Sequence, residues 1–272
     1  MRIAIIGLGS IGSRHVDNLL AIGHTDLIGY DIKPNVNEER LPVLDSENDL
    51  WEYEPTHVLV CTPPDTHFSF ARRALIAKAH VFVEKPMTAT RNEAVLLVEE
   101  SFIANRQLAV GYMERAHHTP QFIKKLVGEW PLRGIEIKCY WLRTEKTYEQ
   151  SDLLAESSHA LDLALWIGGL CTAVLNIEHH EHGRRAIIQL RQERSPLTTI
   201  DICDNIPPGL RYLSAYRIDG GDLVVGANLT YGLKAEEWDI CYRDELQAFL
   251  DGKPLCTGRD GLAVMELLEQ LK

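Results

Sequence analysis

The stretch that decides the fold is "IAIIGLGSIGSRHVDNLLAIG", residues 3–23. Four consecutive apolar residues read as a strand buried on both faces. Gly7, Gly9 and Gly12 follow in the spacing G-x-G-x-x-G. The next residues place Val16, Leu19, Leu20 and Ile22 near helical period, and Gly23 closes the segment. A second strand, "DLIGYD", ends at Asp31, roughly 20 residues after the glycines. A lone glycine spacing would suit many α/β turns. Between a strand and a helix, with an acid at that distance, it reads as a dinucleotide-binding turn.

Each part has its own physical reason. Gly7 permits the tight turn, Gly9 leaves no side chain in the way of a pyrophosphate, and Gly12 lets helix and strand approach closely. The backbone amides of Gly9, Ser10, Ile11 and Gly12, with the helix dipole, suit phosphate. Asp31 would accept hydrogen bonds from ribose hydroxyls and repel a 2′-phosphate. That favours NAD over NADP, with Lys33 close enough to offset part of the charge.

The alternation continues outward. "THVLVCTPP" is a strand ending in a Pro-Pro turn, and "THFSFARRALIAK" is a helix. "AHVFVEKP" is a strand, "ATRNEAVLLVEESFIAN" a helix that Thr90 opens, and "QLAVGYM" a strand. Strands separated by such helices imply right-handed crossovers and a parallel sheet. Ligands of these sheets bind at the carboxyl ends of the strands. Cys61, Thr62, Pro63, Glu84, Lys85 and Tyr112 sit at such ends, and His67 opens the helix after the Pro-Pro turn.

Composition limits the function classes. The chain has 272 residues, 45% hydrophobic and 25% charged, with a formal net charge of −11. That charge, without a basic cluster, argues against nucleic acid. No apolar run is long enough to cross a membrane. The start lacks a signal peptide's cleavage region, so residue 1 is expected to begin the folded part. Six scattered cysteines without Cys-x-x-Cys read as reduced thiols of a cytoplasmic protein.

In the second half, "GIEIKCYWLR" alternates as a strand and "TEKTYEQSD" reads as a polar loop. "SSHALDLALWIGG" is a nearly all-apolar helix, expected buried, with Ser157 or Ser158 as its cap. His159 falls in its first turn and Asp162 on the same side. The helix dipole would keep that imidazole neutral and able to take a proton. The alternative is a core histidine. From 173 to 232 come "AVLNIEHH", "RRAIIQLR", "LTTIDICD", "LRYLSAYRI" and "DLVVGANLTYG", with "DGG" at 219–221 as a turn. Strands without intervening helices point to an antiparallel sheet. Two helices close the chain. His179, His180 and His182 invite a metal reading, but a solvated strand end suits them better, and no metal is expected. "CYWLR" suits a half-buried sheet face better than an aromatic platform. Tyr112, Glu114, Arg115 and His117 follow the last parallel strand. Arg115 and His117 could touch substrate there or form salt bridges between domains.

These residues together resemble the glucose–fructose oxidoreductase / inositol dehydrogenase / MocA family. The matching stretches are "GLGSIGSRH", "VCTPPDTHFSFARRAL", "HVFVEKPMT", "VGYMERAHH", "SSHALDLALWIGG" and "RDELQAFLDGKPLCTGRDGLAVMELLEQL". They run in the family's order over most of 1–170 and 240–272. The resemblance implies α/β architecture: an N-terminal Rossmann dinucleotide-binding domain (1–118) and a C-terminal α+β domain (119–272) with a mostly antiparallel open sheet. Helices in 243–272 are free to pack back on the first domain. It implies an NAD-dependent oxidoreductase acting on a sugar, polyol or sugar-nucleotide, as a cytoplasmic homodimer or homotetramer. Lys85 would contact the reacting oxygen and His159 would be the acid/base. Tyr112, Arg115, His117, Glu156 and Asp162 would line the substrate. Many members carry Asp four residues before that histidine; here Ala155 stands, with Glu156 beside it. A non-catalytic NAD-binding regulator and an NAD-dependent glycosidase are the alternatives on the same scaffold.

Overall fold

The computed structural model describes residues 1–33, 40–129, 132–141, 153–180, 184–204, 212–219, 224–230 and 235–272. They form two compact units, one of Met1–Met113 with Asp239–Met265, the other of Glu114–Trp238 with Glu266–Lys272.

The first unit is a parallel sheet. Its strands are β1 (Ile3–Ile6), β2 (Leu27–Tyr30), β3 (Val43–Leu44), β4 (His57–Val60), β5 (His80–Glu84) and β6 (Leu108–Gly111). Their spatial order is β3-β2-β1-β4-β5-β6, every pair parallel. The strand order reverses between β1 and β4, the position where such sheets open a crevice. Crossovers are α1 (Ser10–Ala21), α2 (Glu47–Glu52), α3 (Pro64–Ile76) and α4 (Arg91–Ala104). The continuous apolar runs have their cause here: Ile3 to Ile6 and Val58 to Val60 are fully buried because helices leave these strands no wet face. The short β3 and α2 lack a readable period and are absent from the sequence reading.

Helix ends follow local chemistry. Thr90 and Glu93 form a reciprocal capping box that starts α4. Asn105, in the left-handed conformation, ends it. At the far end of the chain, α8 (Ala235–Leu250) and α9 (Gly258–Gln270) follow. Leu246, Phe249 and Leu250 of α8 join the core around Ile3, Ile5, Leu59 and Phe82. The Phe249 ring lies 5.7 Å from Phe82 and 5.5 Å from His57. The parallel sheet is therefore completed by residues more than a hundred positions away.

The second unit holds a six-stranded mixed sheet. Its strands are β7 (Gly134–Trp141), β8 (Cys171–His180), β9 (Arg185–Gln192), β10 (Thr198–Cys203), β11 (Tyr212–Asp219) and β12 (Val224–Thr230). The order is β12-β11-β7-β10-β9-β8, antiparallel except for β7 with β10. On one face Ile135, Ile137, Ala186, Ile188, Leu190, Ile200 and Ile202 are buried. Alternation in β9 is the period-2 pattern of a sheet covered on one side. Packed against β7 and β10 is α7 (Ser158–Gly168), which buries nearly every residue, as its apolar sequence demands. Ser157 occupies its N-cap position, but the hydroxyl does not cap. It donates back to the carbonyls of Leu153 and Leu154, in α6 (Leu153–Glu156). The remaining helix, α5 (His118–Glu129), was not read from sequence. The expected loop at 144–152 falls wholly outside the described residues, as do the last two residues of the "DGG" turn. No described helix is long and apolar enough to cross a membrane.

Phe249→Ala should lower unfolding free energy by about 3–5 kcal/mol, through lost burial and the cavity left between Phe82 and His57. Chemical denaturation measures this. A loss under about 0.5 kcal/mol would mean that α8 is not part of that core.

Candidate functional site

The glycine turn joins β1 to α1. Gly7 has φ +88°, and a Cβ there would lie 2.8 Å from the carbonyl oxygen of Cys61. Its amide donates to the carbonyl of Tyr30 at 2.8 Å. At Gly12 a Cβ would come within 1.9 Å of the Gly7 carbonyl oxygen. These two glycines are thus demanded by the protein's own packing. Gly9 differs: it is exposed, and a Cβ there would meet nothing within 4 Å. The chain's own packing therefore does not demand a glycine at this position.

Gly9 is also the N-cap of α1, without a side-chain cap and with no acid in the first turn. Nothing in the helix's own sequence neutralises the positive end of its dipole. An open Cβ position over uncapped amides fits a phosphate. At the end of β2, Asp31 accepts from the amide of Leu8 at 2.8 Å and from that of Lys33 at 2.9 Å. Those bonds pin the carboxylate beside the turn, and each oxygen keeps a lone pair for a ribose hydroxyl.

The second part of this edge follows β4 and β5. Thr62 and Thr66 share a hydroxyl hydrogen bond of 2.8 Å. The fully buried ring of His67 faces the carbonyl of Thr62 at 2.7 Å and that of Pro86 at 2.9 Å. Both nitrogens face backbone carbonyls of the two strand-end loops; as a neutral imidazole the ring donates to one of them, the tautomer deciding which. Burial pushes its pKa below the ordinary value, while the two carbonyls and the carboxylates of Glu84 and Asp65 pull the other way.

Glu84 is buried at the carboxyl end of β5. One oxygen accepts from Nε2 of His15 at 2.7 Å, the other from the backbone amide of Lys85 at 3.1 Å. Burial alone raises a carboxyl pKa. Here the His15 hydrogen bond and charge, with those of Lys85, outweigh it and hold Glu84 below its ordinary value. Lys85 is half-buried, and its ammonium has no hydrogen-bond partner among the described residues. The Lys85–Pro86 peptide is cis. Tyr112, just beyond β6, is fully enclosed.

In the second unit, Arg115 and Asp162 bond to each other. The guanidinium donates Nε to Oδ2 at 2.9 Å and Nη2 to Oδ1 at 2.7 Å, with both side chains almost wholly buried. The Trp166 ring lies 5.5 Å from the same guanidinium. That closed pair fastens the residues after β6 to α7. His117 is 5% exposed and its Nδ1 accepts the Thr119 amide at 3.2 Å. His159 is half-buried in the first turn of α7. The side chain of Glu156 lies outside the described residues, as does His182. His180 pairs with Glu178 at 3.3 Å on an exposed strand end, and no metal-ligating cluster of three is found among the described residues.

Sequence reasoning missed His15. Its signal is a histidine three residues past Gly12, on the buried side of α1 where a leucine would be ordinary. Its significance required knowing that Glu84 lies opposite.

Residues 1–112 match the family described as "Oxidoreductase family, NAD-binding Rossmann fold". A 4-carboxy-2-hydroxymuconate-6-semialdehyde dehydrogenase of Sphingobium sp. is 24% identical over 256 residues, 83% of this chain and 81% of that enzyme. The myo-inositol 2-dehydrogenase of Thermotoga maritima is 33% identical over 138 residues, 47% of this chain and 40% of that enzyme. The WlbA (WbpB) dehydrogenase of Thermus thermophilus, solved in complex with NAD and UDP-GlcNAcA, superposes with a TM-score of 0.83 at 18% identity. That match covers 100% of this chain and 94% of the other, and it shows the fold.

The two glycine classes separate in experiment. Gly9→Ala should keep the wild-type thermal midpoint yet weaken NAD binding by roughly 10-fold or more, because the added methyl occupies ligand space. Gly12→Ala should lose stability outright, because the chain itself is in the way. Calorimetric titration and thermal unfolding measure both; equal NAD affinity in Gly9→Ala and wild type would contradict the assignment.

Proposed function

We propose that this chain is a member of the glucose–fructose oxidoreductase / inositol dehydrogenase / MocA family, an oxidoreductase moving a hydride between NAD and a CH–OH carbon. The substrate is a sugar, polyol or sugar-nucleotide, the class to which the inositol and UDP-GlcNAcA named above belong. The carrying observation is the glycine turn, whose one unobstructed glycine lies over uncapped amides in the sheet that also ends in Lys85.

Gly7, Gly9, Ser10, Ile11 and Gly12 would hold the pyrophosphate. Asp31 would take the ribose hydroxyls and select NAD over NADP by repulsion of a further phosphate. Bound there, the nicotinamide supplies or accepts the hydride. The residues of the chain do the rest. The Lys85 ammonium, unspent on any hydrogen bond within the described residues, stabilises alkoxide character on the substrate oxygen. The imidazole of His159 takes the hydroxyl proton in oxidation and returns it in reduction. In this reading residues 1–118 form the nucleotide-binding part, with helix residues from 243–272 packed back onto it, and the rest of 119–272 forms the substrate part of a cytoplasmic homo-oligomer.

A panel of inositols, sugars and UDP-sugars with NAD, followed by NADH absorbance, tests the reaction. On a substrate that turns over, Lys85→Ala should lower kcat by roughly 10²-fold or more while NAD affinity stays within about twofold. His159→Asn should remove the pH dependence of kcat/KM that a general base imposes. No redox change with any member of the panel, or equal turnover in Lys85→Ala and wild type, would overturn the proposal.

A further inference from the structure

Among the described residues the imidazole of His15 makes one hydrogen bond, and it is with Glu84. The ring is fully buried, and its Nδ1 has no hydrogen-bond partner among the described residues. A leucine or phenylalanine would fill the same volume without enclosing an unsatisfied nitrogen. The polar cost is therefore carried for the bond from Nε2 to the Glu84 carboxylate, at 2.7 Å.

That carboxylate is a bridge. Its other oxygen holds the amide of Lys85 at 3.1 Å. It has little room to swing: a Cβ on Gly111 of β6 would lie 3.1 Å from its carboxyl carbon, so the group rests against backbone that only glycine leaves bare. The His15 ring is fixed in turn. Phe82 meets it edge-on at 5.5 Å and Tyr242 of α8 at 5.6 Å. The phenol of Tyr242 is pushed up by burial and then by the charge of Glu84, as is the thiol of Cys61 on the β4 side. The neighbours from α8 and β4 thus stay neutral, and the carboxylate is met by the His15 ring and the Lys85 amide.

We propose that His15 is a positioning residue for Lys85, acting through Glu84. The helix that starts at the glycine turn braces, by two hydrogen bonds in series, the strand end that carries the working ammonium. The proposal rests on the catalytic reading of Lys85 for its consequence in turnover, and on geometry alone for the placement of Lys85.

The test uses the full chain with its lysines ¹³C-methylated, the Lys85 resonance being assigned with Lys85→Arg. Three proteins are compared with NAD bound: wild type, His15→Leu and His15→Gln, whose amide can replace the Nε2 donor. The Lys85 signal should be single and narrow in wild type, broadened or split in His15→Leu, and restored in His15→Gln. On a turned-over substrate, kcat in His15→Leu should fall roughly 10- to 10²-fold with NAD affinity within about twofold, and His15→Gln should recover most of it. An unchanged Lys85 resonance in His15→Leu overturns the proposal. So does a loss in both variants that merely follows their thermal midpoints. If wild type turns over no member of the panel, the functional reading falls, and the resonance still decides the positioning.

Discussion

A carboxylate buried at the end of a strand is the constraint on which this nucleotide-binding unit turns. Placing Glu84 out of water is unfavourable unless donors meet both of its oxygens. The chain meets them from two directions: a histidine on the helix of the glycine turn, and the amide of the very next residue. The anion then requires bare backbone at Gly111 and neutral neighbours at Cys61 and Tyr242. One charge so arranged explains why several residues from β4, β5, β6, α1 and α8 are what they are.

The same economy recurs elsewhere in the molecule. His67 faces the carbonyls of the loops after β4 and β5 with its two ring nitrogens. Arg115 spends its fork on Asp162, within the second unit. Groups that look chemical in the sequence are, in three dimensions, occupied with holding their surroundings. What is left uncommitted among the described residues is more informative: the open space at Gly9 and the ammonium of Lys85. A ligand-binding edge is recognised here less by which polar residues are present than by which of them the fold has not already used.

How much of this was legible beforehand follows from the range of the interactions. The parallel sheet was readable because buried strands, glycine turns and crossover helices each leave a local signal, from Ile3–Ile6 to Leu108–Gly111. The second sheet was readable as alternation, but its one parallel pair, β7 with β10, joins residues about sixty apart and has no local mark. Ser157 sits where a cap was expected, yet its hydroxyl turns back to α6, a choice that depends on the preceding turn. Arg115 read as a substrate contact or a salt bridge because it follows the last parallel strand, and Asp162 because it lies on the same side of its helix as His159. Their partnership spans 47 residues and is invisible to any window. His15 was passed over for the same reason: Glu84 is 69 positions away.

The most direct measurement is the titration of Glu84 itself, by ¹³C NMR of its side-chain carboxyl group in the intact chain. Because its pKa is held below the ordinary value in the folded state, stability drawn from it persists above the unfolded pKa and is lost as pH falls through the folded one. The account predicts a carboxylate that stays ionised through the range where ordinary glutamates take up a proton, with that acid limb shifted upward when His15 is replaced by leucine. A wild-type midpoint above the ordinary glutamate value, which burial alone would impose, would contradict it.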